Sequence, residues 1–425
     1  MTGKYTLIFD GNFWLHKTFF IGQKIKQGKP FNFIDEPEED KNLLLWKLSV
    51  DFASEIKRFE GITNRIVYTI DSSSWRKTYE GGETYKANRT KSSEIDWNKI
   101  YEVHNEFVAG LERLGIIVSR VRGAEADDLI FAWSAHLNQQ GQNALIISGD
   151  NDLLQLVNKD NSSGANTLYY NKFDKDLHVF PGFKSWLDQE DFNTTNDIFN
   201  LPIDLVSNSK QHLKEIIKMN KMKLDEVNTN EFLFRKVLIG DMGDNVSPLH
   251  VVIKETKGGP RRFGVTDNHA NTILNEFKDD KVFVNQSHFF NDEYIDQIVS
   301  IAKRVIKIEK PLEEIRTKWL LNRDLVFLHK NCIPSEILDA MFMTISPNKL
   351  HSFSAIELHT IMNKDKILEG TTYTKEKAES FNESGLFKAA MPKVSTEKPV
   401  GDVIITSTPE SDKGFDDEFW KDLLK

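Results

Sequence analysis

The sequence predicts an α/β chain: a parallel sheet with helices on both faces, followed by a mainly helical part. Three observations predict it. Short apolar runs alternate with helix-periodic segments through the first third of the chain. Three of those runs end in an aspartate. From about residue 231 to 345 helical periodicity dominates. Strands alternating with helices imply a parallel sheet whose faces the helices cover.

Taken in order, Tyr5 to Phe9 is the first strand. Residues 43–59 put Leu45, Leu48, Phe52 and Ile56 on one helical face. Arg65 to Ile70 reads as a buried strand. Residues 97–114 repeat Trp97, Ile100, His104, Phe107, Leu111 and Leu114 at helical spacing. Ile116 to Val121 is a strand, 126–138 a helix and 144–147 a strand. Residues 174–230 are polar and irregular, an elaborated insertion with a strand at 177–180 and a helix near 208–220. The expected domains are therefore 1–230, 231–368, and a tether over 369–425 rich in Ser, Thr, Glu, Lys and Pro. Such a stretch buries too little apolar area to offset its ordering entropy.

Composition narrows the class. A chain of 425 residues is long enough for two domains. Its single cysteine, Cys332, excludes an internal disulfide and a cysteine-rich zinc site, and fits a reducing compartment. The first apolar run is broken at once by Asp10, so no secretory signal is expected. No apolar run approaches the ~20 residues that span a bilayer. The net charge of −9 argues against coating nucleic acid by bulk charge.

The acids are placed unusually. YTLIF runs into Asp10, RIVYTI into Asp71, and ALIIS into Asp150 and Asp152. Parallel strands deliver their carboxyl ends to one edge of the sheet, where ligands bind. Glu125, Asp127 and Asp128 stand at the start of the 126–138 helix, where the helix dipole also favours acids. Carboxylates crowded on one edge repel one another unless cations share the space. An all-oxygen donor set selects hard ions, Mg²⁺ or Mn²⁺. Paired divalent ions suit phosphodiester cleavage, so a metal-dependent nuclease or phosphatase follows. Between 74 and 91 lie five bases against two acids, interleaved with Trp75, Tyr79 and Tyr85. Bases hold phosphates and rings stack on nucleobases, which suits single-stranded nucleic acid.

Six ordered blocks then carry a resemblance: FDGN, ID with a WRK-type stretch, YKANR, GAEADDLI, SGDNDLLQL and IGDMGDNV, the last at 239–246. Together they span about 250 residues. The chain resembles the phage-type 5′ nucleases of the flap-endonuclease superfamily, the group that includes the ribonuclease H that removes RNA primers. The resemblance implies a PIN-like 5′-nuclease sheet and a helical DNA-binding domain. It also implies 5′→3′ exonuclease and flap-endonuclease action on DNA and RNA–DNA duplexes with a 5′ end or flap. It implies two Mg²⁺ ions, replaceable by Mn²⁺. By motif match, Asp10, Asp71, Glu125, Asp127 and Asp150 form the inner metal site, with Asp128 and Asp152 close by. Asp241 and Asp244 complete the second. Asp71 and Asp150 are expected to be essential. Tyr85, Lys86 and Arg89 fall in the arch near 74–95, with Lys86 and Arg89 steadying the scissile phosphate and Arg76 and Lys77 contacting phosphate at its entrance. The family's helix–three-turn–helix is altered here: HVVIKETKGGPRRFGVTDNHANTIL lacks the usual short turn. Lys257, Arg261 and Arg262, with Lys254, are its candidate duplex contacts, and 266–277 its second helix. A phage source would place the protein in the host cytoplasm, as a monomer free of membranes.

The last segment, GFDDEFWKDLLK, aligns Phe415, Phe419 and Leu423 at i, i+4, i+8, with Trp420 and Leu424 beside them. An amphipathic helix on a tether suits docking in a partner's groove. A sliding clamp or a single-strand-binding protein fits a primer-removing enzyme. Two other readings compete. A PIN-type ribonuclease shares the strand-end acids but lacks the GDxxDN domain. A non-catalytic DNA-binding scaffold would have lost carboxylates that are all present here.

Overall fold

Six consecutive buried residues, Tyr5–Asp10, form β1, an interior strand of the sheet. In this computed structural model the described residues are 4–25, 31, 33, 37–89, 95–189, 208–256, 259–278 and 286–345. The tether, the C-terminal peptide with Phe415, Phe419, Trp420, Leu423 and Leu424, and Lys257 lie outside them, as does the side chain of Arg262.

After β1 come α1 (Gly11–Ile25), α2 (Pro37–Arg58), β2 (Thr63–Thr69), α3 (Trp97–Arg113), β3 (Ile117–Ser119), α4 (Ala126–Gln139) and β4 (Asn143–Ser148). Then follow β5 (Asn158–Lys159), β6 (Asn166–Asn171), β7 (Asp176–Val179), α5 (Phe183–Asp188), α6 (Asn208–Met219) and β8 (Lys223–Glu226). The sheet runs β3-β2-β1-β4-β6-β7-β8, with β5 pairing β6. Strands β3, β2, β1, β4 and β6 are mutually parallel, whereas β6 and β7 pair antiparallel. From β1 the chain moves outward to β2 and β3, then returns to β4 on the other side of β1. That reversal is the switch point where such sheets open a crevice.

The strand and helix expected within 174–230 are β7 and α6. The described parts of that segment extend the main sheet: β8 pairs parallel with β7, from Asp176↔Lys223 to Val179↔Glu226.

The core explains why these runs are strands. Leu7, Ile8, Phe9, Leu145, Ile146 and Ile147 are all fully buried. Each contributes about 1.5–3 kcal/mol by leaving water. Gly11 lets α1 start directly after β1, because a Cβ there would collide with the Thr69 carbonyl and the Tyr68 ring. Asp10 is thereby fixed at the junction.

The helical part comprises α7 (Thr229–Ile239), β9 (Val251–Thr256), β10 (Gly259–Gly264), α8 (Asp267–Lys278), α9 (Asp292–Ile306), α10 (Leu312–Val326) and α11 (Ser335–Thr344). It has its own apolar core around Leu233, Phe234, Ile298 and Trp319, which Tyr85 joins from the first part. Leu328, Ile333, Met341 and Ile345 return to the first core. The expected helix at 266–277 is α8. The long turn before it is an antiparallel hairpin, β9 on β10, with Lys254 opposite Arg261 and Val252 opposite Phe263. Among the described residues no helix is long and apolar enough to cross a membrane.

Candidate metal centre

Each strand-end acid is held by a specific local device. The Asp10 carboxylate accepts from the Phe13 amide at 3.0 Å and from the Ser148 hydroxyl at 2.7 Å. Burial, with the Asp150 charge adding to it, pushes the Asp10 carboxyl up to about 6. Asp71 stands two residues beyond β2. One oxygen accepts from the Ala126 amide at 2.5 Å and the other from the Asn12 side chain. Burial and the neighbouring Glu125 charge push Asp71 to about 7. Desolvation, then the charges of Asp150 and Asp10, hold Asp127 well above the usual carboxylate range. Asp150 caps the turn after β4 by accepting the Asp152 amide at 2.8 Å.

Glu125 is the exception. Burial alone would raise it, but Lys86 and Arg76 hold it down at about 2. The Lys86 ammonium lies 2.5 Å from one Glu125 oxygen, and the Arg76 guanidinium 2.8 Å from the other.

The second set of acids comes from GDMGDN. Gly240 has φ 78°, and a Cβ there would strike the Val246 carbonyl. The loop closes through paired backbone bonds between Asp241 and Val246. Asp241 accepts the Gly243 amide at 2.8 Å. One oxygen each from Asp152, Asp241 and Asp244 lie within 4.8 Å of one another. Three hard donors that close fit a single divalent cation. The raised carboxyls of Asp10 and Asp71 fit the same conclusion, since ionising them together needs added positive charge.

The YKANR and GDMGDN motifs, distant in sequence, are stitched together. The Lys86 amide donates to the Asp244 carbonyl at 2.9 Å. The Asn88 side chain donates to the Met242 carbonyl at 3.0 Å, and Asn245 to the Thr84 carbonyl at 2.7 Å. Arg89 pairs with the Asp244 carboxylate and donates to the Gly243 carbonyl at 3.2 Å. Lys86 takes a left-handed backbone, φ 56°, to make this junction.

Three expectations need correction. Asp128 is not free to hold a metal. Its two oxygens take Arg76 nitrogens at 2.8 and 3.1 Å, the Trp75 indole N–H at 3.2 Å and the Glu125 amide at 3.0 Å. Arg76 is not at a phosphate-binding entrance: it is 2% exposed and also donates to the Leu325 carbonyl at 2.8 Å. Tyr85 is buried, and its hydroxyl donates to Asp244 at 2.6 Å, so its ring is no exposed stacking platform. Lys77, beside Arg76, stays partly exposed. Arg261 is exposed on the β9–β10 hairpin.

Sequence reading also missed residues. Asn12, inside FDGN, fixes Asp71. Lys236 pairs with Asp152 and, at 2.9 Å, with Asp241. Its place five residues before Asp241 is its only sequence signal.

A parallel sheet carries acids at its switch point, and they meet an acidic loop from the helical part; the first part of the chain is similar to the nuclease domain of 5′-3′ exonucleases. Residues 5–180 match the family model of the 5′-3′ exonuclease N-terminal resolvase-like domain. The chain is 27% identical over 154 residues to a 5′-3′ exonuclease of Buchnera aphidicola subsp. Schizaphis graminum, covering 36% of this chain and 49% of that protein. It is 28% identical over 155 residues to the 5′-3′ exonuclease of Buchnera aphidicola subsp. Acyrthosiphon pisum, covering 36% and 48%. The chain thus spans about half the length of the curated relatives it matches. Among solved structures, the T5 D15 protein co-crystallised with metal ions aligns at a TM-score of 0.45 with 15% identity, over 86% of this chain and 99% of that one.

Proposed function

We propose that the protein is a divalent-metal-dependent 5′→3′ exonuclease and flap endonuclease. It hydrolyses phosphodiester bonds of DNA or RNA at 5′ ends on duplexes, and RNA-primer removal in phage-type replication is the role this suits. One observation carries the reading: acids from β1, β2, α4, β4 and GDMGDN converge on one edge. Asp10, Asp71, Glu125, Asp127 and Asp150 would hold one Mg²⁺, and Asp152, Asp241 and Asp244 a second. Bound there, the cations supply water activation and stabilisation of the leaving oxygen. In this reading Lys86 and Arg89, which pair with Glu125 and Asp244, would exchange carboxylate for the scissile phosphate. Tyr85 buttresses both acids from below.

The direct test compares Mg²⁺-dependent digestion of a 5′-labelled flap, a nicked RNA–DNA hybrid and a single strand. The flap and the hybrid should be cut and the single strand spared. No cleavage with either Mg²⁺ or Mn²⁺ would refute the reading.

The β9–β10 hairpin is the proposed duplex grip. Lys254 and Arg261 are exposed cross-strand partners, and the Lys254 ammonium lies 5.7 Å from the Phe263 ring centre. Phosphate contacts bind without reading sequence and release counterions. Replacing Lys254 and Arg261 together by Ser should weaken duplex binding alike for all sequences. The slope of log affinity against log salt should flatten by about 2. An unchanged slope would remove the hairpin from the interface.

A further inference from the structure

Lys236 lies on α7, whose neighbours Leu233, Phe234, Val237 and Leu238 form the helical core. Yet Lys236 is itself only 9% exposed. A buried ammonium is costly unless charged partners surround it. Its partners are Asp152, from the turn after β4, and Asp241, from the loop after α7. Those carboxylates, with Asp244, are the trio whose oxygens lie within 4.8 Å of one another. One side chain therefore joins the two parts of the protein through the same carboxylates that a divalent ion would use. Charge makes the competition explicit. Arg89 already pairs with Asp244, so the Lys236 ammonium answers Asp152 and Asp241 and leaves one net negative charge on that pair. Without the ammonium, that pair would face a divalent cation with one more negative charge.

We propose that Lys236 is the built-in counter-ion of the outer carboxylate trio. It holds Asp152 to Asp241 across the two parts of the chain, and it weakens the trio's grip on a divalent ion. Lys236 is thus a positioning residue: it acts through the acids. A weaker grip lets the second ion come and go while the acids keep their places. The inference rests on the proposed metal reading.

The test uses the full chain without nucleic acid. Mn²⁺ binding is measured by calorimetry and electron paramagnetic resonance on wild type, Lys236→Met and Lys236→Arg. Lys236→Met keeps the length and loses the charge. It should bind Mn²⁺ at least about tenfold more tightly at its weaker site, because a unit charge a few ångströms from a divalent ion matters far beyond thermal energy. Lys236→Arg should stay within about threefold of wild type, since it keeps that charge. In chelator the Met variant should melt below wild type, and Mn²⁺ should close the gap. If the Met variant does not fold, Lys236→Gln is measured in its place. Equal or weaker Mn²⁺ binding by the neutral variant overturns the inference. Absence of Mn²⁺ binding by wild type overturns the metal reading instead, so the two failures are distinguishable.

Discussion

Asp71→Asn should abolish metal-dependent cleavage and leave duplex binding nearly unchanged. The substitution keeps size and removes one charge. Its oxygen still accepts the Ala126 amide, the bond that joins this position to the start of α4. The other side of the amide meets Asn12, whose own amide rotates to supply an acceptor. The local structure therefore survives. The carboxylate is held up at about 7 by burial and by Glu125, so removing its charge relieves repulsion. The variant should be as stable as wild type in chelator, or slightly more so. What it loses is an anionic donor for a hard cation. Losing an outer-shell partner of a metal site already costs 10- to 100-fold, so loss of a direct donor should exceed about 100-fold in single-turnover rate. Asp150→Asn should behave likewise. Duplex affinity by fluorescence anisotropy should stay within about threefold, because backbone contacts elsewhere carry it. Full activity in either variant would mean that these acids hold no catalytic metal.

The acids were readable because each follows an apolar strand. Leu7 to Phe9 and Leu145 to Ile147 are fully buried, and the first polar residue after each run must lie at the sheet edge. Other features have no such signal. β8 reads KLDE, and its residues are exposed or half-buried, so neither apolar alternation nor a buried run marks it. β6 reads NTLYYN, with buried asparagines at both ends that are satisfied by hydrogen bonds, Asn166 to Asn143 of β4 and Asn171 to Asn151 in the turn after β4, rather than marked by apolarity. Asp127 and Asp128 are neighbours, but successive helix positions differ by about 100°. Sequence cannot choose which of the two faces the cleft, and Arg76 claims Asp128. Within the basic and aromatic run from 74 to 91, Arg76 and Tyr85 could not be placed for a related reason. Arginine and tyrosine suit nucleic acid, but the same chemistry suits a buried carboxylate. Which partner each side chain takes depends on the helical part folding over it, through Leu325 and Asp244.

Arg76→Met should lower stability strongly, by about 3–5 kcal/mol, because it strips the arginine cation from buried Asp128 and leaves Glu125 with Lys86 alone. Arg76 pairs with Glu125 and Asp128, each at 2.8 Å, and its Nε donates to the Leu325 carbonyl at the end of α10. In the variant, Asp128 keeps only the Trp75 indole and the Glu125 amide, and the Leu325 carbonyl loses this donor. Lysine offers no planar fork, so Arg76→Lys should recover only part of the loss. The pH dependence has a definite sign. Glu125 in the folded protein sits at about 2, below the ordinary glutamate value of 4.5, with Lys86 and Arg76 overcoming its burial. A depressed carboxyl stabilises the fold above the unfolded pKa and loses that effect as pH falls through the folded one. The gap between wild type and Arg76→Met should therefore narrow between about pH 4.5 and pH 2. Denaturant titration at several pH values measures it. The same variant separates two roles for this arginine. A phosphate contact predicts weaker DNA binding at unchanged stability. The buried fork predicts lower stability, with normal binding per folded molecule at a temperature where both proteins are folded. A loss below about 1 kcal/mol, the range of an exposed ion pair, would return Arg76 to the nucleic-acid interface.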